Sequence, residues 1–248
     1  MRRSLLVPVI LLSVAIPAAP AGLNDTGVTF CGAYPSGNNS PCLGTEPSGQ
    51  DAGYGRDVAV GEGKLARAGY GQAGFDFTKI GNNGTPLPAN AVLGTATNQW
   101  ACTMDNVTGL VWELKASDGG LRDKNWTYSW YNSASPDGYS GTVSGGACKQ
   151  AGRCDTEKFV ADVNTLELCG HADWRMPSAK ELESIVILGA AYPAIDVAYF
   201  PNSLPAQYWS GVAVPYYGPY AWSVSYADGG AYDVARSQLH AVRLVRGP

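Results

Sequence analysis

The chain has 248 residues, of which 17 are Lys or Arg, 21 are Asp or Glu, six are Cys and only two are His. Its net charge of −4 argues against nucleic acid or an anionic membrane surface as the main partner, because both attract basic proteins. The length suffices for one large domain or two small ones with a buried core.

The N-terminus has the pattern of an export signal. Arg2 and Arg3 precede an apolar stretch at 5–16 and the small-residue motif at 19–21. The apolar stretch is shorter than the ~20 residues that cross a bilayer. We therefore predict a signal peptide at 1–21, no integral membrane segment after its cleavage, and a secreted, periplasmic or cell-surface location. Without Arg2 and Arg3, 15 basic residues face 21 acidic ones, so the mature charge is about −6.

Residues 22–72 are rich in Gly, Ser, Asn and Pro and contain few apolar pairs. This composition is typical of irregular structure. We expect an irregular arm whose order depends on a disulfide within it.

All six cysteines lie beyond the predicted cleavage point. In an exported chain this favours disulfides over reactive thiols, although the sequence alone leaves the connectivity open. A zinc site is the alternative, but no Cys-x-x-Cys motif is present. The favoured pairs, of which the first two close short loops and the third follows from what remains, are Cys31–Cys42, Cys148–Cys154 and Cys102–Cys169.

Apolar patterning begins near residue 73. Residues 75–80 alternate apolar and polar side chains, as a half-buried strand does, and 108–114 is a second strand candidate. Asp155 is placed to cap a helix that ends at Gly170.

The second predicted helix starts with a capping box. Ser178 and Glu181 have the required spacing, and Gly189 is the expected end. Four further strands are predicted, at 208–210, 220–226, 231–234 and 241–245, with a turn at Gly229-Gly230 between the second and third. Two helices with antiparallel strands indicate an α+β fold.

Five ordered motifs make the sequence resemble the Lcl C-terminal domain family (domain of unknown function 1566), found in exported and surface-attached bacterial proteins. They are the segments 105–113, 119–123, 168–178, 208–210 and 242–247. The resemblance implies a C-type-lectin-like domain over 73–248, preceded by the arm at 22–72.

Two of these motifs are also similar to the core of formylglycine-generating enzymes and of diversified binding proteins with the C-type lectin fold. They are the segment 174–178 and the closing segment 243–246. We expect them to be scaffold: Trp174 as a buried ring, and Arg175 paired with Glu181 or Asp173.

Catalytic signals are weak. No cysteine follows Cys169, so the thiol chemistry of the related enzymes has lost its reactive groups, and neither His171 nor His240 lies in a catalytic motif. We expect no enzymatic activity and no cofactor. Calcium binding stays open, because three aspartates could bind it without matching a known loop: Asp118, Asp123 and Asp137.

The tail has the composition of a recognition surface. Residues 208–241 are rich in Tyr, Ser, Gly, Ala, Val and Asp, and no Lys follows Lys180. Tyrosine gives a large contact area with few rotatable bonds, and small residues adjust around it. We expect nine side chains at the surface as ligand contacts: Tyr216, Tyr217, Ser223, Ser225, Asp228, Tyr232, Asp233, Ser237 and His240.

Two stretches of the tail, 212–220 and 227–234, contain almost only residues that an asparagine codon yields when its adenines are replaced. This resembles the variable proteins of diversity-generating retroelements. The expected partner is an unknown protein or glycan. A glycan would favour the aromatic residues Trp126, Tyr128, Trp130 and Tyr131. The alternative is a non-catalytic structural protein of the cell envelope.

Overall fold

A computed structural model describes residues 22–248, so the predicted signal peptide lies outside the described residues. Within this range no helix has both the length and the apolar character needed to cross a membrane. The protein is α+β, as predicted. The C-type-lectin-like assignment stays a prediction.

Short helices and many short strands make up the molecule. The helices are α1 (Arg56–Gly61), α2 (Thr156–Thr165) and α3 (Ala179–Glu183), with single 3₁₀ turns at Asp51–Gly53 and Leu168–Gly170. The strands of the N-terminal part are β1 (Cys31–Gly32), β2 (Asn38–Asn39), β3 (Phe77–Gly81), β4 (Pro86–Leu87), β5 (Trp100–Asp105), β6 (Val111–Glu113) and β7 (Tyr128–Ser129). Those of the C-terminal part are β8 (Gln207–Ala213), β9 (Tyr220–Ser225), β10 (Ala231–Ala235), β11 (Leu239–His240) and β12 (Val245–Arg246).

The larger sheet is antiparallel and has the strand order β12-β6-β5-β3-β4. Its central strand, β5, is buried at five of its six positions, among them the polar Thr103 and Asp105. Cys102 in β5 pairs with Glu113 in β6, and Trp112 pairs with Val245 in β12. The last strand of the chain thus closes the sheet against the 105–113 motif.

The smaller sheet is an antiparallel meander of the tail, with the order β10-β9-β8. The register shifts between Trp209 and Ala213, so β8 bulges away from β9 at these positions. Strand β9 lies in the middle and β10 forms an edge. A separate pair, β7 with β11, connects the tail to the 126–131 segment.

Both predicted helix starts are confirmed. The Asp155 carboxylate accepts the Lys158 amide, and Ser178 with Glu181 forms the complete capping box. The predicted end of the second helix at Gly189 is wrong: α3 stops at Glu183, and tight turns then carry the chain into the core at 185–187.

The three disulfides have the expected connectivity. Their Cα–Cα distances are 5.2 Å for Cys31–Cys42, 6.5 Å for Cys102–Cys169 and 5.4 Å for Cys148–Cys154. These values are normal for disulfide bonds. No cysteine is left unpaired in the described part of the chain, which contains all six.

The arm is mostly irregular, but it is more firmly attached than expected. The Asn24 side chain donates to Asp105 at 2.5 Å and to the Ser184 carbonyl at 2.8 Å. Asp25 accepts the amide of Arg56 at the start of α1 at 2.5 Å. The order of the arm therefore depends on contacts with the domain as well as on its disulfide.

The Trp174 motif is buried scaffold, as expected. The ring of Trp174 is 2% exposed and its Nε1–H donates to the Leu168 carbonyl at 3.0 Å. Arg175 makes a bidentate pair with Glu181, at 2.6 and 2.9 Å. Asp173, the other partner expected for Arg175, pairs with Arg246.

Candidate functional site

The nine predicted contact residues divide into exposed and buried groups. Six are exposed: Tyr216, Tyr217, Asp228, Tyr232, Asp233 and Ser237. Ser223 and Ser225 are buried, and His240 is half-buried. The expected exposure is therefore wrong for three of the nine.

Ser223 and Ser225 are buried because β9 is the central strand of its sheet. Ser223 lies between Trp209 of β8 and Tyr232 of β10, and its hydroxyl is 3.3 Å from both Gln207 Oε1 and the Tyr232 carbonyl. Strand β9 holds the neighbouring strands together, so these serines are scaffold.

The half-buried His240 packs against the hydrophobic core. Its backbone pairs with Tyr128, and its ring packs edge-on against Trp209 with centroids 4.7 Å apart. Burial lowers the pKa of His240 to about 4, so the ring is neutral at physiological pH.

The exposed residues other than Asp233 lie at or near the two ends of the smaller sheet. The turn between β9 and β10 carries Asp228, whereas the loop between β8 and β9 carries Tyr216 and Tyr217. Antiparallel pairing of Ala235 with Tyr220 brings Ser237 to the end that carries the two tyrosines. The structure thus separates Asp228 from Tyr216 and Tyr217.

The first end forms what we call the tyrosine surface, defined by Tyr139, Tyr216, Tyr217 and Tyr220. Tyr216 is fully exposed at the loop tip, and Tyr217 stacks on Tyr220 with centroids 4.5 Å apart. Tyr139 comes from a different loop: a β-carbon placed on Gly218 would lie 3.5 Å from the β-carbon of Tyr139. Two distant segments therefore contribute to one surface.

Arg236 connects the loop that carries Tyr139 to the strand that carries Tyr220. It is completely buried, and its guanidinium donates to the carbonyls of Tyr139 and Tyr220 and pairs with Asp137. The guanidinium also lies over the Trp130 ring, 4.1 Å from its centroid. A buried, fully engaged arginine fixes the base of the tyrosine surface.

The sequence did not identify Tyr139, Tyr220 or Arg236 as part of this site. The signal that could have suggested Tyr139 is the composition of 132–140, which shares the Ser, Asn, Gly and Tyr of the tail. Nothing in the sequence indicates that this loop meets the tail, because the contact spans about a hundred residues, with a separation of 97 between Arg236 and Tyr139.

The second end is smaller and more acidic. The Tyr232 hydroxyl donates to Asp228 at 2.9 Å, and Asp228 also accepts the Gly230 amide at 3.0 Å. These bonds lower the pKa of Asp228, the Gly230 amide contributing most, so that the carboxylate is ionised at neutral pH. Asp233 is exposed on the edge strand β10.

The aromatic segment 126–131 does not form an exposed platform. Tyr128 and Trp130 are buried, and Trp126 and Tyr131 are half-buried. Trp126 is held by a bond from its Nε1–H to the Gly120 carbonyl at 2.7 Å. Trp130 and Tyr131 of this segment border a cavity.

The three aspartates considered for calcium are not brought together. Asp123 accepts the amides of Asp118 and Gly119, both at 2.8 Å, within one turn, while Asp137 is paired with Arg236. The Ser135 hydroxyl and the Arg236 guanidinium lower the pKa of Asp137 to about 2. Over residues 22–248, no group of three or more His, Cys, Asp or Glu side chains is arranged to hold a metal ion.

Comparison with known proteins places the chain in a family. Among curated proteins none matches it significantly. The family model described as the Lcl C-terminal domain matches residues 101–246. This match covers more than half of the chain and includes β5 apart from Trp100, the motifs at 105–113 and 168–178, and the tail at 208–241. The protein therefore belongs to the Lcl C-terminal domain family.

Proposed function

We propose that the protein is an exported, non-catalytic recognition module that binds a protein ligand through the tyrosine surface. Its three disulfides and its family fit a secreted or surface-located module. Of the two ligand classes considered from the sequence, a protein is favoured because Tyr216 and Tyr217 project from a loop tip and do not line a cleft.

The observation that carries this proposal is the division of the tail between surface and scaffold. None of the residues 212–220 is buried, and of 227–234 only Val234 is buried. Between the two stretches, every residue of 221–226 except Trp222 is buried. The tail therefore offers two stretches that are free to vary on a fixed central strand, as loops do on a rigid scaffold.

The same division supports diversification of the tail. The two exposed stretches coincide with the stretches whose residues derive from asparagine codons by adenine replacement, and Trp222, which lies between them and is half-buried, does not derive in this way. We propose that a retroelement diversifies these stretches. Sequencing the flanking DNA tests this: the expected finding is a reverse transcriptase gene with a near-copy of the 3′ coding segment, and a locus without either contradicts it.

The binding proposal is tested by replacing Tyr216 and Tyr217 together with serine. Removal of exposed side chains should change the free energy of unfolding by no more than about 0.5 kcal/mol. Loss of a tyrosine hot spot should weaken binding by about 2 kcal/mol or more. The control is Tyr54→Ser, because Tyr54 is also well exposed but lies in the arm.

The measurement compares which surface proteins of a mixed bacterial extract are retained by the three immobilised proteins, by quantitative mass spectrometry. We expect partners that the wild type and Tyr54→Ser retain and the double variant loses. Equal retention by all three would place recognition elsewhere on the protein. No specific retention by the wild type would favour the envelope structural alternative.

A further inference from the structure

One strand edge of the smaller sheet has no partner. Strand β10 lies at the outside of this sheet, and over residues 22–248 no other segment pairs with its outer side. A free edge offers a row of backbone donors and acceptors to which another chain can add a strand. We propose that the β10 edge is a second binding site, which takes an extended basic segment of another protein by strand addition.

The other edges of the two main sheets are covered or very short. The opposite edge of the smaller sheet, along β8, is bonded to Ala241 and Pro177. In the larger sheet, β12 exchanges two backbone bonds with Arg175, at 2.9 and 3.0 Å, and β4 has only two residues, of which Pro86 has no N–H. In the part of the chain that the structure describes, β10 is therefore the only five-residue edge strand of these sheets with an open outer side.

The register of β10 shows which of its backbone groups face outwards. At its start the Gly230 carbonyl accepts the Ser225 amide at 2.9 Å, and beyond its end the Arg236 amide donates to the Pro219 carbonyl at 2.8 Å. Bonds across an antiparallel pair recur at every second residue, so the even-numbered residues of β10 bond to β9. The odd-numbered residues point their N–H and C=O groups away from the sheet.

Ala231 and Asp233 carry the free groups of this edge. Their two N–H and two C=O groups make no hydrogen bond within the described structure, whereas the Ala235 carbonyl accepts the Gln238 amide at 2.9 Å. In an antiparallel pair, one opposite residue would bond to both the N–H and the C=O of Asp233, and this pairing is slightly more stable than the parallel one. We therefore expect the ligand to lie antiparallel to β10 and to be centred on Asp233.

The charge at this edge is negative. The Asp233 carboxylate is exposed, and β10 contains no other charged side chain. Arg236, the next basic residue of the chain, is completely buried and paired with Asp137. Opposite charges directly across two strands stabilise the pairing, and like charges destabilise it. A Lys or Arg opposite Asp233 therefore suits this edge, and an acidic residue does not.

The side chains around Asp233 determine what suits the rest of the ligand. Ala231 and Ala235 lie on the same face as Asp233, because alternate residues of a strand share a face. These small side chains leave room for a long basic one. On the opposite face, Tyr232 is 41% exposed and its hydroxyl bonds to Asp228. The ligand residues next to the basic one fall on this face, where a β-branched side chain packs against the Tyr232 ring.

The edge is distinct from the tyrosine surface. Tyr220 of the tyrosine surface pairs with Ala235 at the end of β10, whereas the free groups of Ala231 and Asp233 lie nearer its start and on its outer side. Binding at the edge therefore does not require the proposed function of the tyrosine surface. The backbone amides whose NMR shifts change distinguish the two positions.

The probe is the peptide Ser-Thr-Val-Lys-Val-Thr-Ser with blocked ends, added in the millimolar range to the isotope-labelled mature protein. We expect shift changes at the amides of Ala231 and Asp233, and about tenfold weaker binding of the peptide that has Glu in place of Lys. A methyl group on the backbone nitrogen of the peptide Lys should abolish binding, because this N–H bonds to Asp233. A methyl group on the nitrogen of the preceding Val, whose N–H points away from β10, should not.

A protein variant tests the charge from the other side. Asp233→Lys should reverse the preference, so that the Glu peptide binds more tightly than the Lys peptide. The control is Glu62→Lys, which makes the same change of charge at an exposed position in the arm and should bind both peptides as the wild type does.

Four outcomes would overturn the proposal. They are no shift change in β10, equal binding of the Lys and Glu peptides, equal binding of the two methylated peptides, and shift changes confined to the amides at 214–220. The last of these would place the peptide on the tyrosine surface.

Discussion

At the scale of single residues, His240 links stability to pH. In the unfolded chain its pKa is close to 6.5, and in the folded protein burial lowers it to about 4. As pH falls between these values, the unfolded chain takes up a proton that the folded protein does not. The free energy of unfolding is therefore unaffected by the protonation of His240 above about pH 6.5, and it decreases as the pH falls towards 4.

We predict that acidification from neutral pH to about pH 4.5 lowers the free energy of unfolding by about 2 kcal/mol through His240, a figure reduced for its partial exposure. His240→Leu should reduce the pH dependence by this amount, because leucine takes up no proton. Melting temperatures of both proteins across this range provide the measurement. Parallel pH profiles for the two proteins would show that His240 does not control the effect.

Trp174 of the family motif is buried in the core. We predict that Trp174→Ala destabilises the protein by about 3 to 5 kcal/mol, because it leaves a cavity and frees the Leu168 carbonyl. Trp222→Ala is the control, since Trp222 is only half-buried and should cost less. Urea denaturation measures both. A variant with normal stability that no longer binds its ligand would make Trp174 a contact residue.

At the scale of elements, the loop at 133–141 depends on one side chain of the tail. Arg236 reaches the Tyr139 carbonyl, Ser135 and Asp137, so three positions of this loop are held by one guanidinium. The planar fork of arginine allows this, whereas a lysine ammonium is a single point of contact.

We predict that Arg236→Lys loosens this loop. Hydrogen exchange at 133–141 should become faster, while exchange in the turn at 118–125 stays unchanged because its bonds involve Asp123 and not Arg236. Affinity for the ligand of the tyrosine surface should fall, since ordering the loop then opposes binding. Unchanged exchange in both segments would show that the loop is ordered by its own turns.

The elements that could be predicted from the sequence are those with local signals. Asp155 and Ser178 are helix caps, and cap chemistry involves residues within one turn. Strand β5 was missed although β6 pairs with it across the short turn at 106–108, because five of its six positions are buried and its residues do not alternate between apolar and polar. The end of α3 was misplaced because burial of 185–187 and the bond from Asn24 to Ser184 decide it.

At the scale of the whole molecule, the disulfides constrain segments of very different length. Cys102–Cys169 spans 67 residues and ties β5 to the turn after α2, whereas Cys148–Cys154 spans 6. In the chain-entropy account, a longer loop gives a larger stabilisation because the unfolded chain loses more freedom.

We predict that replacing Cys102 and Cys169 with alanine lowers the free energy of unfolding by about 4 kcal/mol, against about 2 kcal/mol for Cys148 and Cys154. Burial of the first pair adds to the difference. Urea denaturation of the two double variants gives the comparison. Equal losses would contradict the entropic ranking, and no loss with free thiols in the wild type would show that the bonds do not form.

The candidate site was only partly predictable, because local features of the sequence indicate some of its residues and long-range contacts determine the others. Composition identified Tyr216 and Tyr217, because an exposed loop needs no distant partner to be recognised. It also selected Ser223 and Ser225, since small polar residues look alike whether a strand lies at an edge or in the centre. Strand order decides between these cases, and the amino-acid sequence carries no direct signal for it.

The position of β10 at the edge of the smaller sheet has a consequence for solubility. A free strand edge can pair with the same edge of another molecule, and proteins commonly prevent this with charged residues. Asp233 lies at the centre of β10, so two such edges paired symmetrically about it would bring two carboxylates into opposition. Under the proposed diversification, a residue at 233 would have two requirements to meet: it must suit the ligand, and it must also prevent β10 from pairing with β10 of another molecule. Sequences with an apolar residue at this position should be lost to self-association even where they bind well.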